Sequence, residues 1–465
     1  MRSFKFLLGL PLAAALILCG AGTSSAESPV TFDGHLRLRS WFFDKYFSQS
    51  ADANGRHASR SDSWAESRLR LNVSFKPNES VEIRWRAQGP GSARWGSRRA
   101  EDRTLRSEYF YGIARTGIGD FSIGRVSSDI DSSGLQTLGW TPSYGMGTQF
   151  YIFDMDSDMD GAMYRWHTDN FGVKAFYVKR DTTPPQAFAP VRDADYDRFS
   201  VEPYWTWDTG GASIALQYDN DKTGRAADGR DSLKFVSVNP AFAQSFDVGE
   251  QSKLTFHAEA KFAWGKRSYA PGSAAALDPR TKSKVTGAGA YMDLNLDYGP
   301  GDATLAGWWF NGANRSEGDL ANRIDTKDLV DPGTAFYPFL IFYKAYGDQP
   351  AGSMGLEGNG TPGHWALALM GKQRLNDWVS LTYGLGHFRK TGGYTLANGR
   401  SVSKTLGTEV NLGLAVKLLD NLTWSTNAAF FDSGSYYQDR YGNGRSGSGL
   451  DRTIWGWGNE LMFSF

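Results

Sequence analysis

The chain has 465 residues, 50 Lys plus Arg against 50 Asp plus Glu, one Cys and a mean hydropathy of −0.44. Balanced charge supplies no basic face for a nucleic-acid partner. The 54 Gly and the 14% aromatic content are unusual for a soluble chain of this length.

Residues 1–26 are expected to be an export leader. Arg2 and Lys5 form a basic start, Phe6 to Ile17 is an apolar run, and Ser24-Ser25-Ala26 offers the small residues of a cleavage site. The single Cys19 lies inside this segment, and Leu18 before it argues against lipidation. Without the leader the chain has no Cys and two more acidic than basic groups, so backbone pairing and packing must hold it together.

No later stretch suits a transmembrane helix, which needs roughly 20 mostly apolar residues. The uncharged stretch Ser132 to Phe153 is broken by Gly134, Gly139, Pro142, Gly145 and Gly147, and Pro332 to Tyr343 is shorter still. A membrane-spanning fold would have to be a closed barrel.

Period-two alternation runs through the rest of the sequence. Leu36 and Leu38 alternate with His35, Arg37 and Arg39; Leu69, Leu71, Val73 and Phe75 with Arg68, Arg70, Asn72 and Ser74; Val81, Ile83 and Trp85 with Glu82, Arg84 and Arg86. This is the pattern of strands with one apolar and one polar face. Strands are predicted near 30–43, 64–76, 79–89, 103–115, 119–126, 160–168, 171–180, 198–208 and 211–219. The second half gives 232–239, 251–264, 284–298, 302–313, 363–374, 378–390, 401–418, 422–433 and 450–465. The weakest of these is 232–239, and without it the topology falls back towards 16 strands. Short turns rich in Gly, Pro, Asn and Asp, such as 76–80, 298–302 and 419–421, alternate with longer connections such as 127–159 and 314–362. The predicted fold is all-β: a transmembrane antiparallel β-barrel of 18 strands over residues 27–465, with short turns on one side and long loops on the other.

The final strand places Trp455, Trp457, Leu461, Phe463 and Phe465 on one face. With its terminal Phe it resembles the C-terminal strand of the Gram-negative outer-membrane porin superfamily, and the whole chain resembles that superfamily in strand and loop pattern. The 18-strand count is similar to that of the substrate-selective porins: the carbohydrate-selective, basic-amino-acid-type and alginate-export groups. The resemblance implies a location in the cell outer membrane, contact with its lipid, and recognition of Phe463 and Phe465 by the barrel-assembly machinery. It also implies a third long loop folded into the lumen, and leaves a homotrimer and a monomer both open.

In a wide barrel the polar strand faces point into a wet lumen. The first five strands would then project Arg37, Arg39, Arg68, Arg70, Arg84, Arg86, Arg106 and Arg125 as one basic wall, suited to carboxylate or phosphate groups. The plainer reading pairs these arginines with Glu66, Glu82 and Glu108. The segment 127–159 is the third long loop. It carries Asp129 and Asp131 and leads, through Asp154, Asp156 and Asp158, to Asp160; these carboxylates could oppose the arginines at a constriction. Asp156, Asp158, Asp160 and Gly161 also open like a calcium loop, but its twelfth position is His167 where a Glu is required, so calcium is the weaker reading.

The run Phe336, Tyr337, Phe339 to Tyr343 within 314–362 is too apolar to stand exposed. It would fold into the barrel mouth or pack on another subunit. Trp308, Trp309, Trp365, Trp378 and Trp424 suit interfacial girdles. The six His are scattered and neither an elbow for a nucleophilic Ser nor a phosphate loop is present, so neither an enzyme nor a cofactor is expected. The function expected is passive diffusion of small hydrophilic, in part anionic, solutes through a porin. The alternatives are export of an anionic polysaccharide and a barrel-anchored adhesin or receptor.

Overall fold

The computed structural model describes residues 29–47, 59–94, 106–125, 160–181, 195–221, 230–269, 284–311, 315–316, 339, 341, 363–396, 398–441 and 452–465. The leader expected at 1–26, the segment 127–159 and most of 314–362 lie outside these described residues.

Eighteen strands form one antiparallel sheet that closes on itself. The first half runs β1 (Val30–Phe47), β2 (Ser59–Asn78), β3 (Val81–Arg94), β4 (Arg106–Thr116), β5 (Gly119–Arg125), β6 (Asp160–His167), β7 (Phe171–Asp181), β8 (Asp195–Trp207) and β9 (Gly210–Asp221). It continues with β10 (Arg230–Gly249), β11 (Ser252–Tyr269), β12 (Lys284–Asp297) and β13 (Gly301–Phe310). After a two-residue strand β14 (Arg315–Ser316) come β15 (His364–Arg374) and β16 (Val379–Lys390). Two more short strands, β17 (Tyr394–Thr395) and β18 (Ser401–Val402), precede β19 (Thr405–Leu419) and β20 (Leu422–Ser433). A helix α1 (Ser435–Tyr441) and the last strand β21 (Thr453–Ser464) complete the order. Each long strand pairs with its neighbours in sequence, and β21 returns to β1 with Leu36 opposite Phe463 and Trp41 opposite Gly458. Closure leaves no unpaired edge, so the sheet satisfies its backbone groups away from water.

The segment 232–239, on which the strand count turned, is part of β10, a 20-residue strand paired on both sides, so the barrel has 18 strands. The predicted strand 401–418 is shorter at its start. Ser401 and Val402 leave the barrel and pair with β17, which also pairs in parallel with β14. These three short strands form a small separate sheet.

Side-chain chemistry makes the short turns tight. The Asn78 side chain accepts the Ser80 N–H at 2.9 Å, and Asn376 accepts the N–H groups of Trp378 and Val379, each at 2.8 Å. Asp297 accepts from Gly299, whose φ of 86° is one that L side chains rarely adopt.

Alternation sorts the two faces. Leu216, Leu294, Leu305, Leu367, Leu385 and Leu412 point outward and stay exposed, as a lipid-facing band requires. Aromatic rings bracket this band. Towards the short turns, Phe121 meets Tyr164 at 4.9 Å, Phe171 meets Trp205 at 5.5 Å and Trp207 meets Phe242 at 6.0 Å. Towards the long connections, Tyr177 meets Phe199 at 4.6 Å and Phe430 meets Trp455 at 4.7 Å. Such girdles mark the two membrane–water boundaries.

Candidate functional site

The lumen is built from the inward parity of each strand. β1 sends in His35, Arg37 and Arg39; β2 sends in Arg68, Arg70 and Asn72; β3 sends in Glu82, Arg84 and Arg86. Register brings them level: Arg37 lies opposite Arg68, His35 opposite Arg70, and Arg70 opposite Gln88. Six of the eight sequence-predicted arginines thus share one inner wall. Arg106 opens β4 opposite Gln88, and its side chain lies outside the described residues.

Arg125 does not join them. It stands opposite Phe110, on the outward parity shared with Phe121 and Ile123, and pairs with Asp160 at 3.6 Å. Asp160 accordingly begins β6 on the outer face rather than facing the lumen. Both sit at a strand end beyond the apolar band, where headgroups rather than tails surround them, so outward charge is tolerated there. Asp129, Asp131, Asp154, Asp156 and Asp158 lie outside the described residues, and with them the calcium candidate. Among the described residues, no group of three or more His, Cys, Asp or Glu could hold a metal ion.

Carboxylates thread the arginine wall. Glu460 of β21 lies 2.5 Å from Arg39 and 4.0 Å from Arg37, and Glu66 lies 3.6 Å from Arg39. Glu108 lies 2.6 Å from Arg70 and 3.8 Å from Arg86. Glu82, almost wholly buried, gathers Arg84 at 2.7 Å, Arg115 at 2.5 Å and Lys76 at 3.9 Å. The Arg86 guanidinium also lies 4.7 Å over the Tyr109 ring. Pairing with Glu66, Glu82 and Glu108 therefore coexists with a wall in which arginines outnumber carboxylates. Sequence reasoning missed Glu460 and Arg115. Glu460 was recoverable, because it is the charged residue on the β21 parity opposite Trp457 and Leu461, and closure must set it beside β1. Arg115 closes the predicted strand 103–115 but was not singled out; it lies near the end of β4 on the inward parity.

Towards the long connections the lumen is apolar along β1, above Arg37 and Arg39, and from β10 round to β20. Trp41, Phe43, Phe235, Trp308, Phe310, Phe388 and Phe431 all point inward and are buried together. Trp308 is thus not an interfacial residue, unlike its exposed neighbour Trp309. Phe339 and Ile341, from the long connection between β13 and β15, complete this cluster. Phe339 packs edge-on against Phe388 at 5.3 Å, and a Cβ on Gly386 would come within 2.6 Å of its ring. The Ile341 N–H donates at 2.9 Å to Glu409, which has no exposed surface. Of the two places expected for this run, these two residues occupy the barrel interior. Tyr436 and Tyr437 of α1 join the same cluster, and the Arg400 guanidinium donates to the Asp439 carbonyl at 2.9 Å.

Below the apolar cluster, at the short-turn end, Asp302, Lys372, Arg374, Ser380 and Lys417 line a cavity of about 540 Å³. At its rim Lys417 donates to Asp420 at 2.7 Å, and this hydrogen bond holds the Asp420 carboxyl below its ordinary range. Phe463 and Phe465 point outward beside the seam, and the Phe465 backbone exchanges two hydrogen bonds with Gly34.

No family model and no curated protein matches the chain. Among solved structures it is similar to OpdL of Pseudomonas aeruginosa, with a TM-score of 0.52 and 10% identity over 93% of this chain and 98% of that one. It is similar also to OccK8 (OprE) of the same organism, with a TM-score of 0.51 and 9% identity over 93% and 98%. At such identities the likeness is one of fold. The outward apolar band and the aromatic girdles are those of a closed barrel that spans a membrane.

Proposed function

We propose that the protein is a diffusion channel for small hydrophilic solutes, with a preference for anions. The observation that carries this is the inner wall of β1–β4, where Arg37, Arg39, Arg68, Arg70, Arg84, Arg86 and Arg115 outnumber Glu66, Glu82, Glu108 and Glu460. A surplus of fixed positive charge on a pore wall raises the local concentration of anions and lowers that of cations. The carboxylates hold Arg37, Arg39, Arg70, Arg84, Arg86 and Arg115 in place and leave part of each donor fork for a passing carboxylate or phosphate.

The apolar cluster in the lumen supports the same reading. It fills the lumen beside the outer end of β1 and from β10 round to β20 with side chains, so a hydrated solute entering from outside is directed along the strands that carry Arg68, Arg70, Arg84 and Arg86. Polysaccharide export would ask for a wide, continuously hydrated path, and the inward packing of Phe339 narrows the lumen instead. Single-channel recording in a planar bilayer tests the proposal. Stable conductance steps and a reversal potential of anion-selective sign in a KCl gradient are expected. R37Q/R68Q/R70Q should move that potential towards zero or past it. Absence of conductance from folded barrels, or a potential unmoved by the triple variant, would overturn it.

A further inference from the structure

Three lysines stand in a row on the outside of the barrel. Lys234 of β10 is directly opposite Lys266 of β11, and Lys266 is directly opposite Lys284 of β12. All three lie on the outward parity and are exposed, at the end of the barrel from which the long connections depart. Like charges directly opposed across strands destabilise a sheet. Among the described residues, none of the three lysines has an ion pair with a carboxylate. Along the row, Lys234 is followed by uncharged Asn220; the next residue, Asp197, already accepts hydrogen bonds from Asn220 and from Tyr177. The row is also placed with respect to the membrane. One step towards the middle of the barrel, on the same face, stand exposed Val236 beneath Lys234 and exposed Trp264 beneath Lys266, with exposed Phe262 a step further. Aromatic side chains of this kind sit at the boundary between tails and headgroups, so the lysines stand at headgroup height.

We infer that Lys234, Lys266 and Lys284 bind the phosphate groups of a phosphorylated glycolipid in the outer leaflet, with its acyl chains lying over Trp264 and Phe262. A phosphate set between neighbouring ammonium groups removes their mutual repulsion, and the apolar surface directly below suits the chains of the same molecule. The proposal is independent of what passes through the lumen, because all three side chains point away from it.

The test uses the whole barrel, freed of lipid by detergent exchange, and lipid A as the probe, with binding followed by native mass spectrometry. Saturable binding is expected, weakened at least tenfold in K234Q/K266Q/K284Q and by added salt, and kept in K234R/K266R/K284R. Dephosphorylated lipid A should bind the natural chain as weakly as lipid A binds the Gln variant. Equal affinity of the natural chain and the Gln variant for lipid A overturns the site, and so does indifference to dephosphorylation. Phosphatidylglycerol binding as tightly as lipid A overturns the assignment to a glycolipid. A second readout guards against a misfolded variant. In detergent without lipid A the Gln variant should melt higher than the natural chain, since opposed charges are gone, and saturating lipid A should narrow that gap. A lower or unchanged melting temperature would count against the row as a strained, anion-seeking feature.

Discussion

Glu460 of the last strand reaches Arg39 of the first at 2.5 Å, across the line where the sheet meets itself. Both side chains point into the lumen and both are largely buried. Glu460→Gln keeps the shape and removes the charge nearest Arg39, whose contact with Glu66 at 3.6 Å remains. The variant is expected to lose about 1–2 kcal/mol of stability, seen as a lower temperature for conversion of the compact barrel to the unfolded band on a gel. Its reversal potential should shift further in the anion direction. A shift towards cations would contradict the placement of Glu460 within the conducting wall.

Glu82 serves three cations at once, so it and its partners should respond unequally to substitution. Glu82→Gln is expected to cost about 2 kcal/mol, because Arg84 and Arg115 lose their carboxylate together. Arg84→Gln should cost well under 1 kcal/mol, since Arg84 is 40% exposed and its pair is screened by water. Denaturant unfolding of the two variants side by side would settle the order.

Phe339 is expected to act as a filler of the lumen. Phe339→Ala removes a ring packed on Phe388 and Trp308, at a local cost of the order of 3 kcal/mol. Single-channel conductance should rise, with anion preference weakened as solutes gain distance from the arginines. Gly386→Val should act similarly, because its side chain would claim the space of the Phe339 ring. Unchanged conductance in both would show that the water path does not run past this cluster.

Salt should weaken selectivity in a graded way. The screening length is about 10 Å at 0.1 M and about 3 Å at 1 M, so the field of the arginine wall reaches across a pore only in dilute salt. The anion-to-cation permeability ratio is therefore expected to fall steadily when the salt gradient is repeated at tenfold steps of mean concentration. A ratio independent of salt would point to size, rather than wall charge, as the discriminator.

The barrel was legible in the sequence because each strand faces two different solvents, and the alternation of Leu69, Leu71 and Val73 with Arg68, Arg70 and Asn72 records both. Strand ends were less legible. Arg125 follows the parity of Phe121 and Ile123, yet charge alone suggested the lumen; at a strand end beyond the tails an outward Arg is tolerated even opposite Phe110. The apolar sector was hidden for a different reason. Trp41 and Phe43 share the parity of Arg37 and Arg39, and the rule that inward means polar holds only where the lumen is wet. Phe339 and Ile341 dry it locally, and they come from a connection whose path no periodicity fixes. The run around Phe339 did announce that it must be covered, though not by which strands.

Pairing between sequence neighbours throughout, with β1–β21 as the exception, has a consequence for the life of the folded molecule. Seventeen of the pairings around the sheet join long strands that follow one another along the chain, most of them hairpins that can re-form promptly after a local opening. The remaining one joins residues as far apart as Arg39 and Glu460, 421 positions along the chain. An opening at any other place leaves a ring still held shut, whereas an opening there turns the cylinder into a ribbon whose two ends must find each other again. Resistance to unfolding over long times is thus concentrated in this one seam, and substitutions along it are expected to change the rate of unfolding more than the rate at which hairpins assemble.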